Sequence, residues 1–275
     1  MKFSQSFFSP MFPTGYGGYE MTLSEILLDS DNIVFFGGAG VSTESNIPDF
    51  RSPTGLYGEK REHTYPYPAE TMLSHSFYVR YPKEFFRFYF NEMIYKDAVP
   101  NKAHLALARL EQMGKLKAVI TQNIDGLHQK AGSVNVLELH GSVLCNYDSK
   151  DGTFYSLDET MAARDEDGIP RSPKGNIIKP DVVLYEEPLD QNVMYKAVQA
   201  VSQADCMIVG GTSLQVYPAA GLLQYFHGKY LVLINRDSTP YDSQADLVIH
   251  ASIGEVLDAA VKDVEKAEAQ KKEKE

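Results

Sequence analysis

The chain has 275 residues, of which 43% are hydrophobic, and a formal net charge of -11 at pH 7. This composition excludes a disordered chain, because it supplies enough apolar surface for one large domain or two modest ones. It also argues against nucleic acid as a direct partner, since phosphate contacts need basic patches, and it is compatible with lysine-rich polypeptide substrates. The two cysteines, Cys145 and Cys206, do not make a disulfide framework. They indicate a reducing compartment, so we expect a cytoplasmic protein.

An aromatic N-terminal arm, residues 1–21, is interrupted by proline and glycine. It lacks the sustained apolar run of a secretory signal, and no later segment is long enough to cross a membrane. The arm could dock onto the body or stay loose, and the sequence leaves both open. A helix is expected over residues 21–29, because its leucine and isoleucine side chains fall on one face.

A short apolar strand over residues 33–36 is followed at once by a glycine-rich turn, residues 37–40. Glycine lets the backbone turn sharply and approach a ligand, and residues 42–45 can cap a following helix whose free N–H groups favour phosphate. Thr43 stands where the dinucleotide fingerprint has its third glycine, so a tight turn without a ligand fits the glycines almost as well. The polar residues 47–52 directly behind the turn could close over a ligand.

A small helical insertion is predicted between residues 58 and 101. It contains a helix that opens near Pro82, whose aromatic side chains recur at near-helical spacing, which is typical of a core stripe. A further helix over residues 100–113 leads to a second buried strand, residues 118–121. That strand ends in Gln122, Asn123 and Asp125, and the carboxyl ends of strands in an open parallel sheet are where ligands bind.

The second half of the chain alternates strands and helices, which predicts βαβ units and a parallel sheet. A strand over residues 134–139 runs into His140, and a polar excursion from the sheet follows over residues 148–176. The remaining predicted elements are an apolar segment at 177–185, a helix at 191–202, a strand at 206–209, a helix after Pro218, strands at 230–234 and 247–249, and a final helix from Ile253. The highly charged tail, residues 265–275, is expected to fray.

Polar or glycine clusters thus follow several predicted strands, and their combination and order resemble the sirtuin family of NAD-dependent protein deacylases. The matching motifs are GAGVSTESNIPDFRS, TQNIDGLHQKAG, ELHGS, KPDVVLYEE, GTSLQVYPAAG and LINRD, which span roughly residues 22–260. The resemblance implies an α/β fold in one catalytic domain: a Rossmann-like, doubly wound parallel sheet (about 22–56, 101–147 and 177–260) with a smaller inserted domain (about 57–100 and 148–176). The inserted domain would have a helical part and a part shaped like a zinc module.

The activity that the resemblance implies is removal of the acyl group from an acyl-lysine of a protein, its transfer to ADP-ribose, and release of nicotinamide from NAD. The catalytic residues would be His140, Asn123 and Asp125. The NAD pocket would be lined by Gly38, Ala39, Gly40, Ser42, Asp49, Phe50, Arg51, Tyr57, Gln122, Asn123, Asp125, His140, Gly211, Thr212, Ser213, Asn235 and Arg236. The acylated peptide would add a strand along Val182, Val183, Leu184 and Tyr185.

Elementary chemistry supports the role of His140, because histidine has a reference pKa of about 6.5 and can accept a proton from a ribose hydroxyl at neutral pH. His104 and His128 are left as structural or unassigned. Two alternatives stay open: an ADP-ribosyltransferase or NAD glycohydrolase on the same fold, and a non-catalytic NAD-sensing module that binds peptides. The oligomeric state is also left open.

The sequence departs from the resemblance at the structural zinc site, which most sirtuins build from two Cys-x-x-Cys pairs. Alignment on HGSV and IKPDVV places Asp148 and Asp151 at the first pair, and Arg171 and Lys174 at the second. Cys145 alone cannot form a tetrahedral site, so no zinc is expected. We hypothesise that two salt bridges between these acids and bases take over the cross-link. The alternatives are a degenerate solvated loop and binding of a hard cation by the aspartates.

Smaller departures are Gly37, Asn46 and Glu186, where the family more often has Thr, Gly and Gly. In the branch that removes succinyl groups, a Tyr-x-x-Arg pair reads the acyl carboxylate, and our alignment places Tyr89 and Glu92 at this pair. Because an acid would repel that carboxylate, we expect acetyl and other uncharged acyl groups as substrates.

Overall fold

Six parallel strands form the main sheet of the protein, and a computed structural model describes it within residues 21–52, 55–57 and 65–273. The N-terminal arm at 1–20 and residues 53–54, 58–64 and 274–275 lie outside the described residues. In chain order the elements are α1 (Leu23–Leu28), β1 (Ile33–Gly37), α2 (Ala69–Met72), α3 (His75–Arg80), α4 (Pro82–Glu92), α5 (Lys102–Gln112), β2 (Leu116–Thr121), α6 (Leu127–Lys130), β3 (Val136–Glu138), β4 (Gly141–Asp148), β5 (Phe154–Ser156), α7 (Leu157–Ala162), β6 (Ile178–Val182), α8 (Gln191–Gln203), β7 (Cys206–Gly210), β8 (Tyr230–Ile234), β9 (Leu247–Ile249) and α9 (Ile253–Lys272).

The order of the main sheet is β3-β2-β1-β7-β8-β9, and each neighbouring pair is parallel. In chain order, β2 and β3 are therefore added on one side of β1, and β7, β8 and β9 are added on its other side. This doubly wound topology confirms the predicted fold class, and it opens a crevice at the carboxyl ends of β1 and β7, where the strand order reverses. Both of these strands are buried along their whole length, as expected for strands covered on two faces.

Helices cover the two faces of the main sheet. One face packs against α1, α5 and α9, with Leu107, Leu257 and Val261 fully buried in the shared core. The other face packs against α8 and a 3-10 segment, Ala219–Tyr225. The helix starts follow from local chemistry: Thr22 and Glu25 form a capping box on α1, and Asn101 caps α5.

A smaller part of the molecule combines α2, α3 and α4 with an antiparallel sheet of order β5-β4-β6. Aromatic side chains of α4, including Phe85 and Phe86, are fully buried in its core, as the helical spacing predicted. The β4 and β6 strands lie mostly within the ranges 101–147 and 177–260 that the resemblance gives to the Rossmann-like part, and here they pair with each other in an antiparallel arrangement.

The helix expected after Pro218 is present as the 3-10 segment, Ala219–Tyr225. Two local predictions were wrong. Residues 42–45 do not open a helix, since Ala39–Val41 and Thr43–Ser45 form only short 3-10 turns. The charged tail does not fray at residue 265, because α9 continues to Lys272. Within this helix Val264 is fully buried, and Glu265 pairs with Arg109 of α5 at 3.7 Å. Within the described part of the chain, no helix combines the length and apolarity needed to span a membrane.

Candidate active site

A cleft of about 1470 Å³ lies between the carboxyl edge of the main sheet and the smaller part. The glycine turn, the loop behind it, the ends of β2, β7 and β8, His140 and the segment after β6 all line it. The structure thus brings together every residue that the sequence assigned to NAD or to the peptide: Gly38, Ala39, Gly40, Ser42, Asp49, Phe50, Arg51, Tyr57, Gln122, Asn123, Asp125, His140, Val182, Val183, Leu184, Tyr185, Gly211, Thr212, Ser213, Asn235 and Arg236.

Glycines join the ends of β1 and β7 at the floor of the cleft. The Gly40 N–H donates to the Gly211 carbonyl at 2.8 Å, and a Cβ atom on Gly40 would lie 2.7 Å from the Gly211 Cα atom. Gly211 itself has a φ of 60°, in the left-handed region that favours glycine. These two glycines therefore let two strand ends approach each other, which shapes the floor of the cleft.

A buried hydrogen-bond network lies beside this floor and contains Ser42, Asn123 and Asp125. The Ser42 hydroxyl is fully buried, donates to Asp125 Oδ2 at 2.6 Å and accepts from Asn123 Nδ2 at 3.1 Å. The Leu127 N–H donates to Asp125 Oδ1 at 2.9 Å. Because Ser42 holds the amide and the carboxylate together, all three side chains are fixed at the end of β2 before any ligand binds. The sequence expected Ser42 to cap a helix, and its partner is instead Asp125.

Sequence reasoning assigned no role to Asn101, which supports this network from outside the cleft. Its side-chain amide donates to the Val41 carbonyl at 2.7 Å and to Ser45 Oγ at 3.0 Å, while its carbonyl oxygen caps α5. An asparagine at a predicted helix start was the available signal for the cap. Its contacts with the turn after β1 could not be read from the sequence, because they join residues far apart in the chain.

The His140 ring occupies a defined orientation between the nucleotide and peptide regions. Its Nδ1 atom lies 3.0 Å from the Gln122 carbonyl oxygen, which can only accept, so Nδ1 carries the proton and Nε2 keeps its lone pair. Burial lowers the pKa of His140 below its ordinary value, although the hydrogen bond to the Gln122 carbonyl opposes this shift. His140 is therefore neutral at pH 7, and its Nε2 atom can accept a proton.

The ends of β7 and β8 are tied to each other and to β2. The Thr212 N–H donates to Asn235 Oδ1 at 2.9 Å, and Gln122 Nε2 donates to Thr212 Oγ1 at 3.1 Å. The Asn235 Nδ2 group is buried and has no hydrogen-bond partner among the described residues. An unpaired buried donor on the wall of a cleft fits a ligand that offers acceptor oxygen or nitrogen atoms, as a nucleotide does.

The loop behind the glycine turn folds back on itself above the cleft. The Leu56 N–H donates to the Asp49 carbonyl and the Tyr57 N–H to the Phe50 carbonyl, both at 2.8 Å. The Phe50 and Tyr57 rings lie 5.4 Å apart, and the Arg51 guanidinium lies 5.9 Å from the Tyr57 ring centroid. Residues 53–54 of this loop lie outside the described residues.

The peptide segment, residues 182–185, is anchored on both sides of the cleft. The Val183 N–H donates to the His140 carbonyl at 3.0 Å, and the Tyr185 N–H donates to the Leu73 carbonyl at 3.0 Å. The Tyr185 and Tyr57 hydroxyl groups are 2.8 Å apart, which joins the segment to the loop above the nucleotide region. Burial and the hydrogen bond to Tyr185 raise the pKa of Tyr57, so the Tyr57 hydroxyl stays neutral.

The two residues aligned with an acyl-reading pair occupy different places. Tyr89 is buried in the aromatic core, its hydroxyl has no partner among the described residues, and burial raises its pKa. Glu92 lines the cleft and accepts a hydrogen bond from the Tyr65 hydroxyl at 2.8 Å. An acid, rather than a base, thus faces the cleft at this position.

The four residues aligned with the zinc ligands form one of the two predicted salt bridges. Lys174 Nζ lies 2.5 Å from Asp151 Oδ2. The second predicted bridge is absent, because Arg171 pairs with Asp165 at 2.6 Å and not with either aligned aspartate.

Asp148 is instead a buried local organiser of the loop. Its carboxylate accepts hydrogen bonds from Asn176 Nδ2 at 3.1 Å and from the Lys150 N–H at 2.9 Å. Both donors lie within this polar region, so the carboxylate needs no distant base. Among residues 21–52, 55–57 and 65–273, no group of His, Cys, Asp or Glu side chains is arranged to hold a metal ion.

His104 and His128, to which the sequence assigned no chemical role, form a buried pair beneath the network. Their rings are 4.7 Å apart with an edge-to-face arrangement. His104 Nε2 and both nitrogens of His128 have no hydrogen-bond partner within the described part. Burial lowers the pKa of His104 to about 4 and that of His128 to about 3. Both rings are therefore neutral at pH 7 and face away from solvent.

Several residues of the cleft wall were missed by sequence reasoning. They continue motifs that were recognised, since Asp237, Ser238 and Thr239 follow the Asn235-Arg236 pair, and Val216 and Tyr217 follow the Ser213 turn. The signal was thus present, but a motif does not state how far along the chain the cleft extends.

Comparison with known proteins places this geometry in context. A model of the Sir2 family matches residues 38–218. A curated NAD-dependent protein deacetylase of Clostridium perfringens is 62% identical over 237 residues, which cover 86% of this chain and 95% of the relative. One from Clostridium acetobutylicum, with the same name, is 56% identical over 240 residues and 87% of this chain, or 96% of its own length. A solved structure of Sir2 with a p53 peptide and NAD+ has a TM-score of 0.78 at 36% identity, and the match covers 88% of this chain and 98% of that one.

Proposed function

The chain belongs to the Sir2 family, and we propose that it is an NAD-dependent protein deacetylase that removes acetyl groups from lysine side chains. The observation that carries the proposal is the position of His140. Its ring is oriented by the Gln122 carbonyl of the nucleotide region, and its own carbonyl accepts from Val183 of the peptide segment. One residue therefore joins the two halves of the cleft, with a neutral Nε2 at the junction.

The residues present fit NAD. The unpaired Asn235 Nδ2 group offers a buried donor at the ends of β7 and β8, which would hold the adenosine half. At the other end, Asn123 and Asp125 are fixed by Ser42 and would hold the nicotinamide half. Arg51 and the loop around it would lie over the cofactor.

When bound, NAD supplies the ADP-ribose that accepts the acetyl group, and nicotinamide is released. The chain supplies orientation, because its peptide segment presents extended backbone next to His140 and so sets where the acetyl-lysine enters. His140 Nε2 accepts a proton from a hydroxyl group at the junction of the cleft, and the Gln122 carbonyl keeps the ring in the required tautomer.

The acyl preference is inferred from the residue type at one position of the cleft wall. Glu92 lines the cleft where a base would be needed to pair with a negatively charged acyl group. Acetyl and other uncharged acyl groups are therefore the proposed substrates. In a competition between acetyl-lysine and succinyl-lysine versions of one peptide, the acetyl form is consumed first, and preference for the succinyl form would contradict this assignment.

Zinc independence is also proposed, and it is supported by the Asp151–Lys174 pair and by the local bonds of Asp148 at the positions aligned with zinc ligands. Metal analysis of the purified protein tests it, because stoichiometric zinc would contradict it.

A cytoplasmic location is proposed on the two free thiols, Cys145 and Cys206, which fit a reducing compartment. Cell fractionation tests that location.

The function itself is tested by incubating the purified chain with NAD and an acetyl-lysine peptide and following both products by mass spectrometry. Nicotinamide and deacetylated peptide appear in equal amounts, and neither appears when NAD or the acetyl group is left out. Nicotinamide release without peptide would indicate an NAD glycohydrolase, and ADP-ribose attached to protein would indicate a transferase. Binding of NAD and peptide without turnover would indicate a sensing module.

A further inference from the structure

Helix α3 begins next to the peptide segment, and two of its first N–H groups are satisfied within the helix itself. Ser74 is the N-cap residue, and its hydroxyl accepts from the Phe77 N–H at 3.2 Å. The Ser74 carbonyl accepts from the Tyr78 N–H at 3.0 Å. The N–H groups of the first two helical residues, His75 and Ser76, cannot find partners in this way, because no earlier turn of the helix exists.

The last residue of the peptide segment and the residue after it supply the two missing partners. The Tyr185 carbonyl accepts from the His75 N–H at 3.0 Å, and Glu186 Oε2 accepts from the Ser76 N–H at 2.9 Å. The second carboxylate oxygen of Glu186 accepts from the Ser76 hydroxyl at 2.9 Å. The start of α3 is therefore capped by the residues that end the peptide segment, and Glu186 makes two of the three bonds.

The backbone of Glu186 indicates that these bonds determine its position. Its φ is 76°, in the left-handed region that residues with a Cβ atom avoid. Such a conformation persists only where the surroundings over-determine it. The paired bonds to Ser76 provide that restraint, and they fix the point at which the chain turns away from the cleft.

Glu187 closes the same turn from the other side. Its carboxylate accepts from the Leu184 N–H at 2.9 Å and lies 2.8 Å from His75 Nδ1. Its own N–H donates to the Leu184 carbonyl at 3.0 Å. Glu187 thus holds the turn within the segment and also contacts His75 of α3, while Glu186 ties the turn to the start of α3 through its two bonds to Ser76.

We propose that Glu186 is a positioning residue for the acylated peptide: by capping α3 it fixes the course of residues 183–185 along the cleft, beside which the peptide lies. This role rests on the proposed deacetylase function, since it presumes that the segment receives an acyl-lysine peptide. A pre-ordered strand lowers the ordering cost of peptide binding and leaves the chemistry at His140 unchanged. Loss of the cap therefore raises KM for the peptide and spares kcat.

The test compares Glu186→Ala with Glu186→Gln in the full chain. In Glu186→Ala, KM for the acetyl-lysine peptide rises about threefold to tenfold, where tenfold corresponds to about 1.4 kcal/mol. Both kcat and KM for NAD stay within about twofold of the unaltered chain. Glu186→Gln stays close to the unaltered chain, because its amide oxygen still accepts from the Ser76 N–H. If the two variants lose peptide affinity equally, the effect is one of charge and the proposal fails.

A second measurement keeps this test separate from the proposed function. Hydrogen exchange of the free protein reports the N–H groups of His75 and Ser76 directly, and they exchange faster in Glu186→Ala than in Glu186→Gln. If the unaltered chain does not deacetylate, the proposed function fails, and binding of a fluorescent acetyl-lysine peptide then measures the affinities in place of KM. Unchanged exchange, unchanged peptide affinity or a parallel change in KM for NAD would each overturn the positioning role.

Discussion

The nucleotide end of the cleft and the region aligned with a zinc module both depend on polar side chains, but they use them differently. Ser42 is fully buried and links Asn123 to Asp125 through short hydrogen bonds. In the other region the pairing base, Lys174, has 70% of its side chain exposed. A buried group that loses its partner cannot bond to water instead, whereas water and salt weaken the attraction within an exposed ion pair. Hydrogen bonds therefore fix the geometry of the nucleotide end, whereas the region aligned with a zinc module is held mainly by contacts other than its ion pair.

Those other contacts are identifiable in the small antiparallel sheet. Val143 and Ile178 are buried, and the backbone of β4 pairs with both β5 and β6. The exposed rings of Tyr147 and Phe154 contact each other across strands at 5.8 Å. Sheet pairing and packing thus supply most of the cross-linking in this region, and the ion pairs add to it.

The largest expected effect is at the buried site. His140→Ala lowers kcat for deacetylation by a factor of about 100 to 10 000, the usual contribution of a general base, because no other group offers its neutral Nε2 at the junction of the cleft. His227→Ala, which alters an exposed histidine away from the cleft, is the matched control and keeps its activity. Steady-state kinetics with an acetyl-lysine peptide measure both variants. If His140→Ala keeps its activity, His140 is not the general base.

Acid should destabilise the buried region more than the exposed one. The folded protein holds His104 and His128 with pKa values of about 4 and about 3, below the value of about 6.5 in an unfolded chain. Their contribution is therefore complete above about pH 6.5 and is lost as the pH falls toward the folded values. Within this window each histidine can lower the free energy of unfolding by about 1.4 kcal/mol for each unit by which the pH falls.

Urea denaturation at a series of pH values checks this expectation. The variant His128→Leu, which removes the ring whose two nitrogens have no hydrogen-bond partner among the described residues, should show a shallower loss of stability between pH 6.5 and 5. An identical pH dependence in the variant and the unaltered chain would show that other groups dominate the acid response.

A smaller effect is expected from removing the hydroxyl group that joins the buried network. Ser42→Ala leaves Asp125 Oδ2 and Asn123 Nδ2 without a shared partner, which lowers the free energy of unfolding by about 1–3 kcal/mol. It also lowers kcat, because the nicotinamide end loses its fixed geometry. Ser202→Ala, which removes an exposed hydroxyl on α8, is the control. Equal denaturation midpoints for the two variants would contradict the importance of the network.

The smallest effect is expected in the exposed region. The hydrogen bond from Lys174 holds the pKa of Asp151 well below its usual range, so the pair is ionised at neutral pH, but water and salt screen it. Asp151→Asn should shift the denaturation midpoint less than Ser42→Ala does and leave kcat unchanged. The difference from the unaltered chain should vanish in about 1 M salt, where the Debye length is about 3 Å. A large, salt-independent loss would mean that the pair is a principal cross-link.

Much of the fold was predictable because its signals are local. The β8 and β9 strands were predicted with the bounds that the structure gives, and the main sheet follows from the alternation of strand and helix. The small antiparallel sheet was not predicted, although β4 and β6 lie in ranges that the resemblance gives mostly to the Rossmann-like part. These two strands pair with each other across some thirty residues of polar chain. The residues of a single strand do not determine which distant strand it pairs with.

The candidate site shows the same division. Its residues could be predicted because each follows a strand, and the carboxyl ends of parallel strands meet at one edge. Their hydrogen-bond partners could not: Ser42 was expected to cap a helix and instead bonds to Asp125, while Arg171 was expected to pair with one of the two aligned aspartates and instead pairs with Asp165. A short side chain bonds to whichever group the fold brings within about 3 Å, and that distance depends on long-range packing.

By itself the sequence determined the class of fold, the family that the chain resembles and the set of residues on the cleft, since periodicity and motifs are properties of neighbouring residues. Only the tertiary structure decided the tautomer of His140, the bonding of Ser42 to Asp125 and the capping of α3 by Glu186. Each of these depends on which groups are desolvated together and on which backbone atoms face one another across the fold. Such relations arise only when distant parts of the chain are packed against each other.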